Sequence, residues 1–120
     1  MDEYKVRFYR DGDTGKEPVW EYLSSLDYKS RTKILKFVEF LRLNQGYLDE
    51  PYSRHLEGKI RELRVGFGGK HHRVLYFTFV NRTIILLHAF AKNTDKTPTG
   101  EIDRARLNYQ NTISNKKFYE

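Results

Sequence analysis

The chain has 120 residues, with 22 lysines and arginines against 16 aspartates and glutamates, a net charge of +6 and a pI near 9.5. It contains no cysteine, which excludes a disulfide framework, a thiol nucleophile and a cysteine-ligated zinc or iron–sulfur site. A hydrophobic content of 38% that falls into periodic blocks supports one compact core and excludes wholesale disorder.

The length is that of a single domain, which we assign to residues 1–113. We expect the C-terminal segment 114–120 to fray, although Phe118 and Tyr119 are large enough to pack on the domain. The N-terminus opens with acidic residues, whereas a secretory signal needs positive charge and then an apolar run. The longest apolar stretch is roughly half of the ~20 residues of a membrane helix. The sequence therefore predicts a soluble, cytoplasmic protein without a membrane partner.

Charge is distributed unevenly along the chain. Residues 1–27 contain four basic and seven acidic side chains, whereas residues 28–120 contain eighteen basic and nine acidic ones. A basic surface attracts polyanions, because lysines and arginines that neutralise phosphates release condensed counterions. The charge does not distinguish RNA from DNA, and an ordinary basic domain with solvated charges is the alternative.

The first half of the chain predicts one strand and two helices. Residues 4–9 alternate charged with aromatic or β-branched side chains, which indicates a half-buried strand, and 11–15 form a turn cluster. Pro18 suits the first turn of a helix. Apolar side chains follow at helical spacing, at Val19, Tyr22, Leu23 and Leu26. A second amphipathic helix is predicted from about Lys29 to Leu43, and Gly46 is placed to end it.

The second half predicts a loop, three strands and a last helix. Residues 45–59 combine glycine and proline with mixed charges, which favours a loop. The strands are expected at 60–65, 72–80 and 83–91. A helix is expected over 100–113. This order predicts an α+β fold, with a small, mainly antiparallel sheet, two N-terminal helices packed on one face and a C-terminal helix.

The last two predicted strands form a hairpin with a two-residue turn, Asn81-Arg82. The turn pairs Val80 with Thr83, and this register places Arg73 opposite Phe90. One face of the hairpin then contains Arg73, Leu75, Phe77, Phe79, Ile84, Leu86, His88 and Phe90.

Arg73 and His88 are the polar members of that face and lie at its open end, near Lys92 and Lys96 in the following loop. Such a group can hold a phosphate and transfer protons. Each residue also has a structural explanation. Arg73 can pair with Glu62 or with a helix acid, His88 can be a hydrogen-bonded core imidazole, and the lysines can be solvated.

The sequence contains no metal or nucleophile motif. The four histidines form no H-E-x-x-H or other ligand pair at helical spacing, and adjacent His71 and His72 on a strand point to opposite faces. The acids near the strands show no D-x-D spacing, and no G-x-S-x-G turn occurs. The glycine-rich link at 65–70 lacks the G-x-x-x-x-G-K-[ST] pattern of a P-loop. We therefore predict no metal site.

Three stretches together carry a family resemblance. They are L-E-G-K-I-R-E-L-R at 56–64, H-R-V-L-Y-F at 72–77 and I-I-L-L-H-A-F-A-K-N-T-D-K-T-P at 84–98. The chain resembles the HigB-like, phage Gp49-related branch of the RelE/ParE toxin superfamily, and the predicted order of strands and helices is also that of the RelE-like fold.

The resemblance implies the toxin of a type II toxin–antitoxin system, an mRNA interferase that cuts codons in the ribosomal A site without metal or cofactor. It implies a cognate helix-turn-helix, HigA-like antitoxin as partner, with operator DNA bound by the complex. The ribosome and mRNA are the targets. In such cleavage a base takes the proton of a ribose 2′-OH, cations stabilise the phosphate oxygens and an acid protonates the leaving oxygen.

The resemblance also assigns site residues. Arg73 matches the arginine of a Y-R-L-V-Y-like strand motif that binds the scissile phosphate, and Lys92 matches a basic residue after the last strand. His55 stands where some HigB relatives place a catalytic histidine, and His88 is a motif position of this branch. The candidate catalytic residues are thus Arg73, His88, Lys92 and His55. The candidate RNA-binding residues are Arg64, Lys70 and Lys96.

The chain departs from RelE itself at three places. Glu62 stands where RelE has a lysine, Asn93 stands where it has an arginine, and no tyrosine follows the last strand. Two other functions therefore stay open: a ParE-like inhibitor of DNA gyrase, which needs no cleavage chemistry, and a basic domain without toxicity.

Overall fold

The computed structural model describes residues 3–79, 82–92 and 96–119. The elements in chain order are β1 (Lys5–Phe8), α1 (Pro18–Ser24), α2 (Tyr28–Leu43), β2 (Ser53–Glu57), β3 (Ile60–Phe67), β4 (Lys70–Phe79), β5 (Thr83–Lys92), α3 (Thr99–Ser114) and α4 (Lys116–Tyr119). The predicted α+β fold is confirmed. Within the described ranges, no helix has the length and apolar character needed to cross a membrane.

One five-stranded sheet, in the order β1-β5-β4-β3-β2, organises the molecule. β1 runs parallel to β5, and the other three strand pairs are antiparallel. β4 and β5 lie inside the sheet with both faces covered, which explains the continuous apolar runs at 74–77 and 84–87 within them.

Helices α1 and α2 pack on one face of the sheet, as predicted. Pro18 opens α1, and Oδ2 of Asp27 caps α2 by accepting the N–H of Ser30 at 3.1 Å. The chain leaves α2 through Gly46, whose φ is 84° and whose N–H donates to the carbonyl of Leu41 at 2.8 Å. The core on this face contains Val19, Leu23, Ile34, Val38, Leu41, Leu63, Val65, Val74, Tyr76, Ile84, Leu86 and Ala89.

Helices α3 and α4 cover the opposite face. The core there contains Tyr9, Ile60, Leu75, Phe77, Phe79, Ile85, Leu87, Phe90, Ala105 and Tyr119. The buried amide of Asn108 donates to the carbonyl of Leu87 at 2.9 Å and so attaches α3 to β5. The C-terminal segment, for which the sequence predicts fraying, contains α4, and Tyr119 is only 2% exposed.

The β4–β5 register follows the prediction at one end of the hairpin only. Arg73 pairs with Phe90, as predicted. At the other end Thr83 pairs with Phe79, whereas the sequence pattern pairs it with Val80. Val80 and Asn81 lie outside the described residues.

A β-bulge causes this difference. The ladder shifts by one residue between Leu75 and Tyr76, because Leu87 is an extra residue in β5. The bulge moves Ile84 and Leu86 into the core under α1 and α2. The prediction that these two residues share a face with the candidate site is therefore wrong.

The prediction of a loop over 45–59 is also wrong, because β2 forms within it and pairs with β3 at the sheet edge. Most of its side chains are exposed or only partly buried, so the strand lacks the apolar alternation that identifies strands in sequence. Ser53 is its one fully buried residue, and its hydroxyl lies 2.8 Å from that of Tyr76.

Candidate active site

Arg64 on β3 and Arg73 on β4 lie directly opposite each other, and opposed residues share a face of the sheet. Both arginines contact the carboxylate of Glu62. Nε of Arg64 lies 2.8 Å from Oε1, and Nη1 of Arg73 lies 3.3 Å from each carboxylate oxygen. Glu62 is 0% and Arg73 is 4% exposed. One buried carboxylate therefore fixes two guanidinium groups side by side.

Thr97 is the third partner of this carboxylate. Its hydroxyl donates a hydrogen bond to Oε2 of Glu62, and both side chains are buried. A buried carboxylate is tolerated only when donors satisfy it, and the two arginines and Thr97 do so here. Lys96 precedes Thr97 and is exposed, so the segment leading into α3 brings a basic side chain to the same end of the sheet. Asn93 lies outside the described residues.

The next residue pairs along the sheet add a histidine and a lysine. His71 on β4 lies opposite Gly66 on β3 and Lys92 on β5. Since His71 is two residues from Arg73, it lies on the same face. The structure thus brings Lys92, a predicted catalytic residue, to the arginine pair. Lys70 is exposed at the end of the β3–β4 hairpin, and alternation directs it to the opposite face.

A cleft of about 280 Å³ opens beside the arginine pair. It is lined by Pro51, Tyr52, Arg64, Val65, Gly66, His71, His72 and Arg73. Tyr52 is 51% exposed. Its ring packs on Phe37 of α2 at a centroid distance of 5.8 Å, whereas the guanidinium groups of the cleft are typical of surfaces that bind a phosphate.

A larger cleft, of about 570 Å³, lies between the 10–15 loop and α4. None of the residues lining it was predicted from the sequence to form the site. Within the described part of the chain, no group of three or more histidine, aspartate or glutamate side chains is arranged to hold a metal ion.

His88 lies on the face of the arginine pair, but its ring is attached to α3. Nε2 of His88 lies 2.6 Å from Oε1 of Glu101, and the ring stacks on Phe90 at a centroid distance of 5.7 Å. Nδ1 is buried and has no hydrogen-bond partner among the described residues. The imidazole therefore connects β5 to α3.

His55 lies apart from the arginine pair. It is opposite Arg61, which is in turn opposite Tyr76. Tyr76 is three residues from Arg73 on β4, so His55 belongs to the other face of the sheet. Its exposed ring places Nε2 2.8 Å from the carbonyl oxygen of Gly58.

His72 faces α1, which confirms that adjacent His71 and His72 point to opposite faces. Nδ1 of His72 lies 2.6 Å from the hydroxyl of Tyr22. Burial lowers the pKa of His72, and the charge of Lys70 acts in the same direction. Burial raises the pKa of Tyr22 to about 12. At neutral pH this pair is an uncharged contact between β4 and α1.

The family model described as "Phage derived protein Gp49-like (DUF891)" matches residues 21–110, from within α1 into α3. The matched range includes the arginine pair and Glu62. The chain belongs to this Gp49-like family. The family is one of RelE- and HigB-like toxins of toxin–antitoxin systems, and the fold is compatible with the RelE-like fold. Family membership implies an antitoxin partner. A comparison with curated proteins finds no match.

Sequence reasoning did not select Glu62, Thr97 or His71 of this Gp49-like site. The E-L-R stretch contains a usable signal, because alternation places Glu62 and Arg64 on one face of a strand. Thr97 is 35 residues away from Glu62, and no local pattern connects them. The sequence does not identify His71, because it cannot tell which of two adjacent histidines on a strand is buried and which is exposed.

Proposed function

We propose that this Gp49-like protein is the toxin of a type II toxin–antitoxin system and acts as a ribosome-dependent mRNA endonuclease. The observation that carries the proposal is the Arg64–Arg73 pair beside the cleft. A guanidinium group presents a planar fork of N–H donors that matches phosphate oxygens, and orientation by a buried carboxylate lowers the cost of binding.

The chemistry is attack of a ribose 2′-oxygen on the adjacent phosphorus. The 2′-oxygen loses its proton to a base, the P–O5′ bond breaks, and the products carry a 2′,3′-cyclic phosphate and a 5′-hydroxyl. Arg64 and Arg73 bind the non-bridging oxygens and stabilise the charge that develops there, with Lys92 as a third cation. Neither a metal nor a cofactor takes part. Of the sequence candidates for proton transfer, His88 lies on this face and His55 on the other.

The size of the cleft supports dependence on the ribosome. Its volume of about 280 Å³ lies just below the ~300–1,000 Å³ of small-molecule pockets, so it accommodates about one nucleotide. In this proposal the cleft holds one nucleotide, and the ribosomal A site aligns the rest of the mRNA strand. The net charge of +6 favours association with ribosomal RNA. Exposed Lys96 contacts the RNA backbone at the end of the sheet that carries the arginine pair, and exposed Lys70 contacts ribosomal RNA from the opposite face.

The antitoxin is proposed to be a helix-turn-helix, HigA-like protein, and the toxin–antitoxin complex is proposed to bind operator DNA. The site of action is the cytoplasm, where ribosomes translate mRNA. The Gp49-like family match supports an antitoxin partner.

The proposal is tested by primer extension on a defined mRNA that is incubated with the protein in a purified translation system, either complete or lacking ribosomes. We expect cuts within A-site codons only when ribosomes are present. Arg73→Lys keeps the charge but loses the fork of donors, and we expect it to lower the cleavage rate about 100-fold. Since Arg73 is 4% exposed, circular dichroism and urea unfolding must show that the variant is folded.

Arg104→Ala is the matched control, because Arg104 is an exposed cation on α3 outside the cleft. We expect cleavage by this variant to match that of the wild-type protein. A folded Arg73→Lys variant that cuts at the wild-type rate contradicts the assigned role of the arginine pair.

One observation favours a second candidate function, the ParE-like gyrase inhibitor. Arg73 is 4% exposed and contacts Glu62, as an arginine with a structural role does. A gyrase supercoiling assay run beside the primer extension separates the two functions. Inhibited supercoiling with intact mRNA establishes the inhibitor and removes the catalytic assignments.

A further inference from the structure

His71 is the exposed histidine of the arginine face. Its backbone lies opposite Gly66, and Nδ1 of its ring is 3.9 Å from the position that a Cβ at Gly66 would occupy. The ring therefore lies over the one residue of β3 that has no side chain to displace it. Both residues line the cleft.

Among the residues that the structure describes, the charged groups that face His71 come from three strands. Arg64 is diagonal to it on β3, Arg73 follows two residues later on β4, and Lys92 is directly opposite on β5. A phosphate bound by these cations is within reach of the imidazole, because adjacent residue pairs on one face of a sheet lie ~5–8 Å apart. An imidazole is also the one side chain whose ordinary pKa lies between pH 5 and 8.

The other histidines are engaged elsewhere. Nε2 of His88 is 2.6 Å from Glu101, and that of His55 is 2.8 Å from the Gly58 carbonyl. His72 is 0% exposed on the far face of the sheet. Among the described residues, no group forms a hydrogen bond with the ring of His71, which is exposed to solvent. Its nitrogens are thus available to accept a proton and to exchange it with water.

We propose that His71 is the general base of the cleft and takes the 2′-OH proton of an RNA nucleotide whose phosphate is bound by Arg64 and Arg73. This inference rests on the proposed function. As a ring nitrogen of His71 accepts the proton, the 2′-oxygen forms a bond to phosphorus. The 5′-oxygen leaves with the electron pair of the P–O5′ bond and takes a proton from water. The imidazolium then returns its proton to the resulting hydroxide.

The test is the pH dependence of single-turnover mRNA cleavage on ribosomes, between pH 5.5 and 8.5, for the wild-type protein and for His71→Gln. A general base gives a wild-type rate that rises with pH and then levels off. We expect His71→Gln to be about 100-fold slower and to lose the acidic limb of the profile. Since His71 is exposed, the variant should unfold at the same urea concentration as the wild type.

His88→Gln and His55→Gln are the competing variants in the same assay. The inference is overturned if His71→Gln cuts at the wild-type rate, if it is slow but keeps the acidic limb, or if one of the other variants loses that limb instead. A wild-type protein that cuts no mRNA overturns the proposed function itself. The two failures are thus distinguished by the wild-type measurement.

Discussion

The hydroxyl of Thr97 donates a hydrogen bond to the carboxylate of Glu62, and this contact joins the segment before α3 to the strand that carries Arg64. Glu62 belongs to the E-L-R stretch of the family resemblance and Thr97 to its K-T-P stretch, so the buried hydrogen bond connects the two stretches. The same carboxylate orients both arginines. The position of α3 and the geometry of the arginine pair are therefore coupled through Glu62.

Glu62→Gln removes the buried charge while keeping the shape of the side chain. We expect a loss of about 3 kcal/mol in the free energy of unfolding, because removal of one partner from a buried ion pair leaves the cations without their carboxylate. Thr97→Val removes a hydrogen bond to a charged acceptor and should cost about 2 kcal/mol. Urea unfolding at pH 7.5 measures both values.

A double-mutant cycle separates this contact from general destabilisation. In the Glu62→Gln background we expect Thr97→Val to cost about 1 kcal/mol less than in the wild type. Thr32→Val on the exposed surface of α2 is the control, with an expected effect within about 0.5 kcal/mol. Strict additivity of the two substitutions would contradict the coupling.

The sequence predicts the elements of this fold well because local patterns determine them. The spacing of Ile34, Val38 and Leu41 identifies α2 and the face that it buries. It does not predict the bulge at Leu87, because a continuous apolar run shows no alternation that assigns side chains to faces. A short edge strand such as β2 gives no apolar signal at all.

The candidate site was predictable only in part. The strand pattern and the family resemblance identify Arg73, and Glu62 is one of its predicted partners. Whether Arg73 has a structural role or binds substrate depends on its burial and on the contact of Thr97 with Glu62. Tertiary packing determines both of these features. Which histidine is the best candidate for proton transfer depends in the same way on long-range contacts, above all the contact of His88 with Glu101.

The buried pair of His72 and Tyr22 predicts a pH dependence of stability. Burial lowers the folded-state pKa of His72 below the ~6.5 of an unfolded chain, so the unfolded state binds more protons as the pH falls. The contribution of His72 is complete above about pH 6.5 and is lost as the pH falls through the folded-state pKa. Thermal unfolding between pH 8 and pH 5 should show this loss.

His72→Asn keeps a polar group near Tyr22 but does not titrate, and it should reduce the difference in stability between pH 8 and pH 5. Tyr22→Phe should cost about 1 kcal/mol at pH 8 and leave the acidic slope unchanged.

On the alkaline side Tyr22 titrates at about 12 in the folded state and at ~10 in the unfolded state, so its contribution is lost above about pH 10. An unchanged acidic slope in His72→Asn would assign the pH dependence to other groups.

Gly46→Ala tests the turn that ends α2. Gly46 has a φ of 84°, and a Cβ there would overlap Oγ1 of Thr78. Its carbonyl also accepts a hydrogen bond from the hydroxyl of Tyr76 at 3.0 Å. We expect a loss of about 2–4 kcal/mol, combining left-handed backbone strain with overpacking.

Gly68→Ala is the matched control, because φ is 62° and no atom lies within 4 Å of the added Cβ. It should cost only about 1 kcal/mol, and equal losses in the two variants would exclude the steric contribution.

Tyr119→Phe tests whether α4 belongs to the domain. The hydroxyl of Tyr119 accepts the N–H of Arg10 at 2.9 Å and donates to the Arg10 carbonyl at 3.2 Å. Removal of the hydroxyl leaves both backbone groups without this partner, and we expect a loss of about 1–2 kcal/mol with faster hydrogen exchange of the Arg10 amide. Tyr28→Phe, at a ring that is 73% exposed, should change stability by less than about 0.5 kcal/mol. If Tyr119→Phe behaves like Tyr28→Phe and the Arg10 amide exchanges at its original rate, the C-terminal segment frays as the sequence predicts and contributes nothing to the fold.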